Sequence, residues 1–386
     1  MRIGIDAKFL THPQRGGFKT YTENLVAAIS NLDTENEYLL YVDRLPGQTD
    51  LIPDQPNFTI KVVSGGRSAY GMPWREQISL PRRCNKDGLD VFHAPCLTAP
   101  LFLDVPAVIT IHDMIWYYPN RYSARRTRFN KRRLMELYNR FIPAIASRKA
   151  KAVITVSDAS RRTIMNYLKI AGERVFVTYE APSRICRRVT DGTAPGFIQK
   201  RFGLSPGYIM AIGSADPRKN IKSLLQAYAR LPQSLRTSHP LVIVWNHKFL
   251  ESESYAETNR LGIAEQVHFL VDVDDESLVF LYNESALFVF PSFEEGFGLP
   301  LLEAMACGTP VLAANNSSIP EIVGDAAMQF SAERVEELAG LIEKVLRDPD
   351  LRKKMSARGL ERASEFSWEN CARQTIKVYA EIQSWM

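Results

Sequence analysis

The sequence has little of what marks secreted or membrane-spanning proteins. None of its apolar runs approaches the roughly 18 uninterrupted residues of a spanning helix. The first apolar stretch is broken by Asp6 and Lys8, unlike a secretory signal peptide. Its five cysteines are scattered and form no Cys-x-x-Cys pair, so neither a disulfide framework nor a zinc cluster is expected. These absences predict a cytoplasmic protein with reduced thiols.

Several common site motifs are missing as well. Gly296 and Gly298 are followed by Leu301 where a Gly-x-Gly-x-x-Gly motif needs its third glycine. No Gly-Lys dipeptide is available for a phosphate-binding loop. Neither His-Glu-x-x-His nor Gly-x-Ser-x-Gly occurs. The sequence therefore argues against a dehydrogenase, an ATPase, a zinc protease and an α/β-hydrolase.

The composition that is present belongs to a folded protein of two domains. Hydrophobic residues make up 45% and charged residues 24%, with 19 Phe and 15 Tyr to build cores. At roughly 150 residues per domain, the length of 386 predicts two domains. Short β-branched runs alternate with helical patterns, which is typical of parallel sheets covered on both faces. The predicted strands are 2–5, 38–42, 59–63, 91–93, 107–111, 153–156, 208–212, 241–245, 267–270, 287–290 and 310–313.

The predicted fold class is therefore α/β, with two doubly wound domains. A polar stretch containing Gly and Pro, residues 183–206, is the expected break between them. The predicted domains are 1–183 and 184–366. The predicted helices include 20–30, 160–168, 221–230, 301–306 and a final helix over 367–384.

The most informative stretch is a buried strand, a glycine loop and a helix over residues 288–308. The N-terminus of a helix offers backbone N–H groups and a positive dipole end, and Gly298 lets a ligand approach closely. Glu295 precedes the predicted helix and Glu303 is expected in its first turn. Carboxylates accept from hydroxyls and amides donate to them, so the pattern suits a polyhydroxylated ligand. Compensation of the helix dipole by acids is the simpler alternative for Glu303 alone.

In these residues the sequence resembles glycosyltransferase family 4. The Glu-x7-Glu signature of that family corresponds to Glu295 and Glu303, with Phe297, Gly298 and Leu299 between them. The resemblance implies a GT-B architecture of two Rossmann-like domains facing a cleft, and a retaining transfer of a hexose from a nucleotide-diphospho sugar. It implies that Glu295 and the loop at 297–299 hold the donor sugar, and that Glu303 holds the ribose. It also implies that the final helix, 367–386, packs back on the N-terminal, acceptor-side domain.

A cationic pair follows the first predicted strand of the second domain. Arg218 and Lys219 lie where cations could neutralise a diphosphate leaving group, whose negative charge grows in the transition state. Members of the family often carry Arg directly after the glycine of this strand, and here that position is Ser214. Lys219 matches the family lysine, and Arg218 is the substitute second cation. A solvated Arg-Lys pair is the alternative.

Two further pieces resemble the family in the N-terminal domain. Gly16 and Gly17, within the loop 15–21, resemble the glycine loop near the donor phosphates and the acceptor. His112 ends a predicted strand and resembles the family histidine that positions donor sugar and acceptor. A tight turn would explain the glycines equally well, and a histidine at a strand end is often structural.

No metal or other cofactor is expected. Asp272 and Asp274 read superficially as a metal-binding Asp-x-Asp, but an N-cap and an acidic first turn of a helix explain them without a metal. The expected partners are a nucleotide-sugar donor and a glycan or lipid-linked acceptor. A weak similarity of 217–220 and 316–321 to mannosyltransferases favours GDP-mannose and a role in polysaccharide biosynthesis.

A basic block extends from Arg121 to Lys151. It contains eleven Lys or Arg and a single acidic residue, Glu136. A cationic helix face is the prediction, and attraction to anionic lipid headgroups would make the enzyme peripheral at the cytoplasmic side of the membrane. Nucleic acid is not the expected partner, since no nucleic-acid-binding motif accompanies the block. A merely solvated face is the alternative.

Two other functions stay open at this point. One is an enzyme of the same architecture with another outcome, such as an epimerase or an inverting transferase. The other is a non-catalytic scaffold that binds sugar nucleotides. The presence of both Glu295 and Glu303 beside the cationic pair argues against the scaffold.

Overall fold

The structure, a computed structural model, describes residues 1–12, 16–47, 51–65, 71–115, 131–245, 250 and 252–385, except for the side chains of 131–136. The chain forms two compact units. The first contains the described residues up to Glu180 and again from Ser367, and the second runs from Ala181 to Phe366. Each unit is an α/β fold with its own parallel sheet.

The strands are short and mostly buried. In the first unit they are β1 (Arg2–Ile5), β2 (Glu37–Val42), β3 (Phe58–Val62), β4 (Val91–Ala94), β5 (Ala107–Thr110), β6 (Ala152–Thr155) and β7 (Val175–Val177). In the second they are β8 (Ile209–Gly213), β9 (Leu241–Trp245), β10 (Val267–Leu270), β11 (Leu287–Phe290), β12 (Val311–Ala314) and β13 (Met328–Phe330).

The helices lie between the strands. They are α1 (Lys8–Thr11), α2 (Gly17–Leu32), α3 (Gly71–Trp74), α4 (Leu80–Cys84), α5 (Lys131–Lys149), α6 (Asp158–Leu168), α7 (Thr193–Phe202), α8 (Ile221–Ala229), α9 (Gln233–Ser238), α10 (Glu253–Arg260), α11 (Asp275–Glu284), α12 (Leu299–Ala306), α13 (Ile319–Val323), α14 (Val335–Arg347), α15 (Pro349–Ser364) and α16 (Trp368–Ser384). A π-helical turn, Arg75–Ser79, joins α3 to α4.

Both sheets have the doubly wound order. Within the described residues, the first sheet reads β3-β2-β1-β4-β5-β6-β7 and the second β10-β9-β8-β11-β12-β13, with parallel pairing throughout. Strands β4, β6, β11 and β12 are buried at every position, as parallel strands covered on both faces must be. The order reverses beside β1 in the first unit and beside β8 in the second. Ligands of such sheets bind at the carboxyl ends of the strands next to that reversal.

The predicted strands are confirmed to within two residues at each end. The prediction missed β7 and β13, each only three residues long, at the edge of its sheet. The final helix begins at Trp368 with Ser367 as its N-cap, where the Ser367 side chain accepts from the N–H of Asn370.

Helix α16 is anchored in the first unit by a buried polar chain. His93, on β4, bonds through Nδ1 to the Tyr379 hydroxyl at 2.6 Å and through Nε2 to the Thr110 hydroxyl at 2.8 Å. Burial, and then the positive charge of His112, lower the pKa of His93 to about 3. A neutral histidine can satisfy both hydroxyls without bringing a second charge next to His112.

Candidate active site

The residues that follow β8 and β11 meet because these strands are neighbours. Ile209 pairs with Leu287 and Met210 with Phe288, so both strands deliver their following loops to the same edge. Strand β8 ends at Gly213, where a Cβ would come within 2.6 Å of the Trp245 ring. Only glycine fits this close approach, and the order of strands reverses at this point.

The loop after β8 is held firmly to the end of β11. Asp216 caps the 3-10 turn Pro217–Lys219 by accepting from the N–H of Arg218 at 3.0 Å. Asn220 follows with a positive φ of 52° and donates to the carbonyls of Pro291 and Ala332. The turn that carries the cationic pair is therefore fixed by its own backbone and by the strand beside it.

Three residues predicted from the sequence converge here. The Lys219 ammonium lies 2.7 Å from Oε1 of Glu295, and the Arg218 guanidinium lies 3.1 Å from Oε2. All three side chains are less than one-fifth exposed. Burial alone would raise the pKa of Glu295, but the charges of Lys219 and then Arg218 outweigh it and lower that pKa. Glu295 is therefore an ionised carboxylate in a cationic setting.

The two cations have different surroundings. Arg218 also donates to the Glu294 carbonyl at 2.8 Å and pairs with Asp216 at 3.3 Å, so it holds the loop together. The ammonium of Lys219 lies 5.2 Å above the Phe290 ring and shares the carboxylate of Glu295. Of the two, Lys219 is the better placed to change partner when an anion arrives.

The loop 316–318 supports the site in a way that the sequence did not predict. The Ser317 hydroxyl donates to the Glu295 carbonyl at 2.6 Å, and the Ser318 hydroxyl lies 3.0 Å from the carbonyls of Glu295 and Phe297. The Asn316 amide donates to the carbonyls of Ser292 and Phe293. These bonds fix the backbone that carries Glu295. The recognisable signal was the Asn-Asn-Ser-Ser sequence of residues 315–318 directly after β12.

The glycine loop leads into α12 as predicted, with one correction. Gly298 is the N-cap, its φ of 108° is unfavourable for other residues, and helix α12 begins at Leu299 rather than near Leu301. Glu303 is consequently the fifth residue of the helix and lies outside the first turn, where we expected it. Simple dipole compensation therefore explains Glu303 poorly, because the dipole effect is confined to the first turn.

The side chains between Phe297 and Glu303 have two kinds of surroundings. Phe297 is 4% exposed and its ring lies 5.9 Å from that of Phe366, so only its backbone is available to a ligand. Glu303 is half-buried, and its Oε2 accepts from the Tyr282 hydroxyl at 3.4 Å. The donor-binding roles of Phe297, Gly298, Leu299 and Glu303 stay predictions.

In the first unit, His112 has partners on both ring nitrogens. Nδ1 lies 2.9 Å from Oε1 of Glu180, and Nε2 lies 3.1 Å from the carbonyl oxygen of Pro95. A carboxylate and a carbonyl only accept, so both nitrogens donate and the ring is an imidazolium. Burial would lower the pKa of His112, but hydrogen bonds to Cys96 and Glu180 outweigh it and raise that pKa to about 10.

Glu180 was not predicted from the sequence. It is 4% exposed, lies in the loop three residues after the end of β7, and contacts His112 across 68 positions of the chain. No local motif marks it. The predicted positioning role of His112 stays a prediction, because a sugar hydroxyl could bond the ring only by replacing one of these two acceptors.

Replacing Glu180 by Gln should lower the pKa of His112 from about 10 towards the ordinary histidine value of about 6.5. The raised pKa stabilises the folded state fully below about pH 6.5, and this contribution is lost as the pH rises towards 10. The variant should therefore lose stability at neutral pH and little near pH 10. An NMR titration of the His112 ring measures the pKa directly, with Glu173→Gln as the matched control. A His112 pKa unchanged by Glu180→Gln would contradict the pairing.

The predicted glycine loop adjoins this histidine. Gly16 is the N-cap of α2, with a φ of 142°, and Gly17 is the first residue of that helix; Arg15 lies outside the described residues. Within the first turns of α2, the Phe18 ring lies 5.2 Å and the Tyr21 ring 4.6 Å from the His112 ring. The start of α2 and His112 therefore form one neighbourhood. The donor-side role of Gly16 and Gly17 stays a prediction.

The acidic loop before α11 has the predicted capping role. Asp274 is the N-cap and accepts from the N–H of Ser277 at 2.9 Å, and Arg201 pairs with the same carboxylate at 2.7 Å. The hydrogen bonds from Ser277, followed by that from Arg201, lower the pKa of Asp274 to about 2. In the described part of the chain, no three His, Cys, Asp or Glu side chains are grouped as ligands for a metal ion.

The described residues include only part of the basic block. Arg121, Arg125, Arg126 and Arg128 lie outside the described residues, as do the side chains of Lys131, Arg132 and Arg133. Across the ranges that are described, no helix combines the length and apolar character needed to cross a bilayer.

Sequence comparison assigns the chain to a class of enzymes that transfer sugars. The family model of glycosyltransferase family 4 matches residues 15–181, and that of the glycosyl transferases group 1 matches residues 197–362. O-antigen chain mannosyltransferase B of Escherichia coli is 36% identical over 291 residues, which cover 75% of this chain and 74% of that protein. The chain belongs to glycosyltransferase family 4 and is a glycosyltransferase.

Two further comparisons bear on sugar and fold. The MMP alpha-(1->4)-mannosyltransferase of Mycolicibacterium hassiacum is 33% identical over 238 residues, covering 60% of this chain and 54% of that protein. The crystal structure of HepE from Anabaena in complex with UDP and glucose superposes with a TM-score of 0.73 at 19% identity, covering 98% of this chain and 99% of that one. The two Rossmann-like units thus have the GT-B fold.

Proposed function

We propose that this glycosyltransferase moves mannose from GDP-mannose, with retention and without a metal ion, to a glycan or lipid-linked acceptor in polysaccharide biosynthesis. Two relatives with different acceptors in their names are both mannosyltransferases, which supports mannose as the sugar. HepE has the same fold and carries UDP and glucose in its crystal structure, which supports a nucleotide-diphospho sugar as the donor.

The observation that carries the proposal is the convergence of Lys219, Arg218 and Glu295 beside the reversal of the second sheet. The cluster pairs two cations with Glu295, and Asp216 adds a second carboxylate at Arg218. A donor diphosphate would compete with Glu295 for the Lys219 ammonium. Glu295, once released, would accept from sugar hydroxyls. Lys219 would then bind the diphosphate and Glu295 the sugar, so the two residues would hold the groups on either side of the bond that breaks.

The chemical step follows from this placement. The bond between the anomeric carbon and the diphosphate oxygen breaks, and the new bond forms on the same face to an acceptor hydroxyl. The hydroxyl proton leaves with the diphosphate. Negative charge grows on the leaving oxygen, so the Lys219 ammonium, once paired with the diphosphate, stabilises the transition state more than it stabilises the bound donor. Glu295 has no nucleophilic role in this scheme.

A donor screen tests the proposal. Thermal shift and donor hydrolysis are measured with GDP-mannose, UDP-glucose and ADP-glucose, each with and without EDTA. We expect the largest stabilisation and the fastest cleavage with GDP-mannose, and no change with EDTA, since Asp274 serves as a helix cap.

The outcomes separate the alternatives. A preference for UDP-glucose or ADP-glucose would contradict GDP-mannose as the donor. Complete loss with EDTA would restore Asp272 and Asp274 as metal ligands. Conversion of GDP-mannose to an isomeric GDP-sugar would favour the epimerase.

A further inference from the structure

Helix α5 exposes three large apolar side chains within its described turns. The face that packs into the first unit carries the small buried residues Ala144, Ala146 and Ser147, together with the half-buried Tyr138 and Ile142. The outer face carries three large apolar residues spaced four apart: Leu137 (39% exposed), Phe141 (54%) and Ile145 (41%). Positions four apart lie on one side of a helix. Three large apolar residues of these turns therefore face outward, where a helix packed on a domain core usually carries polar side chains.

A fourth apolar residue extends this surface. Phe102 is 68% exposed, the Lys149 ammonium lies 5.1 Å from its ring, and the same ammonium donates to the Leu101 carbonyl at 3.1 Å. Phe102 therefore adjoins the C-terminal end of α5. We call Phe102, Leu137, Phe141 and Ile145 the apolar stripe.

The stripe is bordered by cations. Arg140, Arg148 and Lys149 are all exposed, and Arg140 lies 5.9 Å from the Phe141 ring. From Leu137 to Lys149, all of which the structure describes, α5 contains no acidic residue. Bulky apolar side chains bordered by positive charge are the pattern of a helix that lies in the interface of an anionic bilayer.

The positive charge beside the apolar stripe distinguishes between the partners that could cover it. In a symmetric dimer through this face, Arg140, Arg148 and Lys149 would meet their own copies, and like charges would oppose association. Nucleic acid would satisfy the cations but leave Leu137 and Ile145 without an apolar partner. An anionic lipid surface satisfies both, because headgroups pair with the cations while the apolar side chains enter the acyl boundary.

We propose that the apolar stripe and its three flanking cations dock the first unit on an anionic membrane surface, with α5 parallel to the bilayer. The inference rests on exposed residues of the first unit and is independent of the proposed donor chemistry. The sequence predicted only electrostatic attraction to anionic headgroups. The apolar side chains add burial in the bilayer, and salt does not remove that part of the binding.

The test is co-sedimentation of the full chain with vesicles of phosphatidylcholine and of equimolar phosphatidylcholine and phosphatidylglycerol. Wild type should bind the anionic vesicles and not the neutral ones. The double variant Phe141→Ser and Ile145→Ser should lower the partition coefficient at least about tenfold, and Arg140→Gln about fivefold. The matched controls, Leu45→Ser and Arg82→Gln, change exposed residues of the same kinds elsewhere in the first unit and should have no effect.

The thermal unfolding midpoint of every variant, followed by circular dichroism, shows that it is folded, and this readout does not depend on the proposed function. High salt should weaken wild-type binding without abolishing it. Equal binding of wild type and the double variant would overturn the proposal. So would a wild-type dimer in sedimentation equilibrium that the double variant abolishes, or binding to DNA in preference to vesicles.

Discussion

Replacing Lys219 by Ala should lower kcat for donor cleavage by about 10²–10³-fold, the effect of removing one donor that faces a developing negative charge. The dissociation constant of the donor should change much less, because the charge on the leaving diphosphate is greatest in the transition state. The structure supports this asymmetry, since the ammonium already has a carboxylate partner 2.7 Å away that the ground-state diphosphate must displace. Single-turnover cleavage and calorimetric titration of the donor measure the two quantities separately.

Two companion variants make this test specific. Lys222→Ala removes an exposed lysine of α8 three residues further on and should leave both quantities unchanged. Lys219→Arg keeps the charge and should recover part of kcat. A loss of affinity as large as the loss of kcat would contradict a leaving-group role and make Lys219 a binding residue.

Replacing Glu303 by Ala should weaken donor binding by about 1–3 kcal/mol, the range for losing a charged hydrogen-bond partner. The expected reason is the loss of an acceptor for the ribose hydroxyls, and Glu303→Gln should cost less because it keeps the shape and one acceptor. Removal of the carboxylate also leaves the buried Tyr282 hydroxyl without the acceptor seen at 3.4 Å. The free energy of unfolding is therefore measured beside the dissociation constant.

Donor titration by calorimetry gives the binding change, and Glu333→Ala, at an exposed glutamate of the same unit, is the matched control. Weaker binding together with an unchanged dissociation constant for the isolated sugar would support the ribose role. Parent-like binding of donor by both Glu303 variants would make that role wrong.

The strand pattern and the site loop could be read from the sequence because both are local. Buried parallel strands such as β11 and β12 are continuous apolar runs, and the glycine loop before α12 has its own turn chemistry. Strands β7 and β13 were missed because three residues at a sheet edge carry almost no periodic signal. Their existence depends on a neighbouring strand that provides hydrogen bonds.

Contacts across long stretches of chain could not be predicted. The pairing of Lys219 with Glu295 spans 76 positions and depends on β8 lying beside β11. The carboxylate of Glu180 reaches His112 only because both lie at the same edge of the first sheet. Glu303 was predicted two residues too close to the start of the helix, because Gly298, in its left-handed conformation, starts α12 at Leu299.

The most direct test of the account is an NMR measurement of the anomeric configuration of the product formed from GDP-mannose in EDTA. The mannosyl group of GDP-mannose is α-linked, so a retaining, metal-independent transfer predicts an α-mannoside at full rate. A β-mannoside would contradict same-face transfer, and the absence of product until a divalent cation is restored would contradict a leaving group stabilised by Lys219 and Arg218.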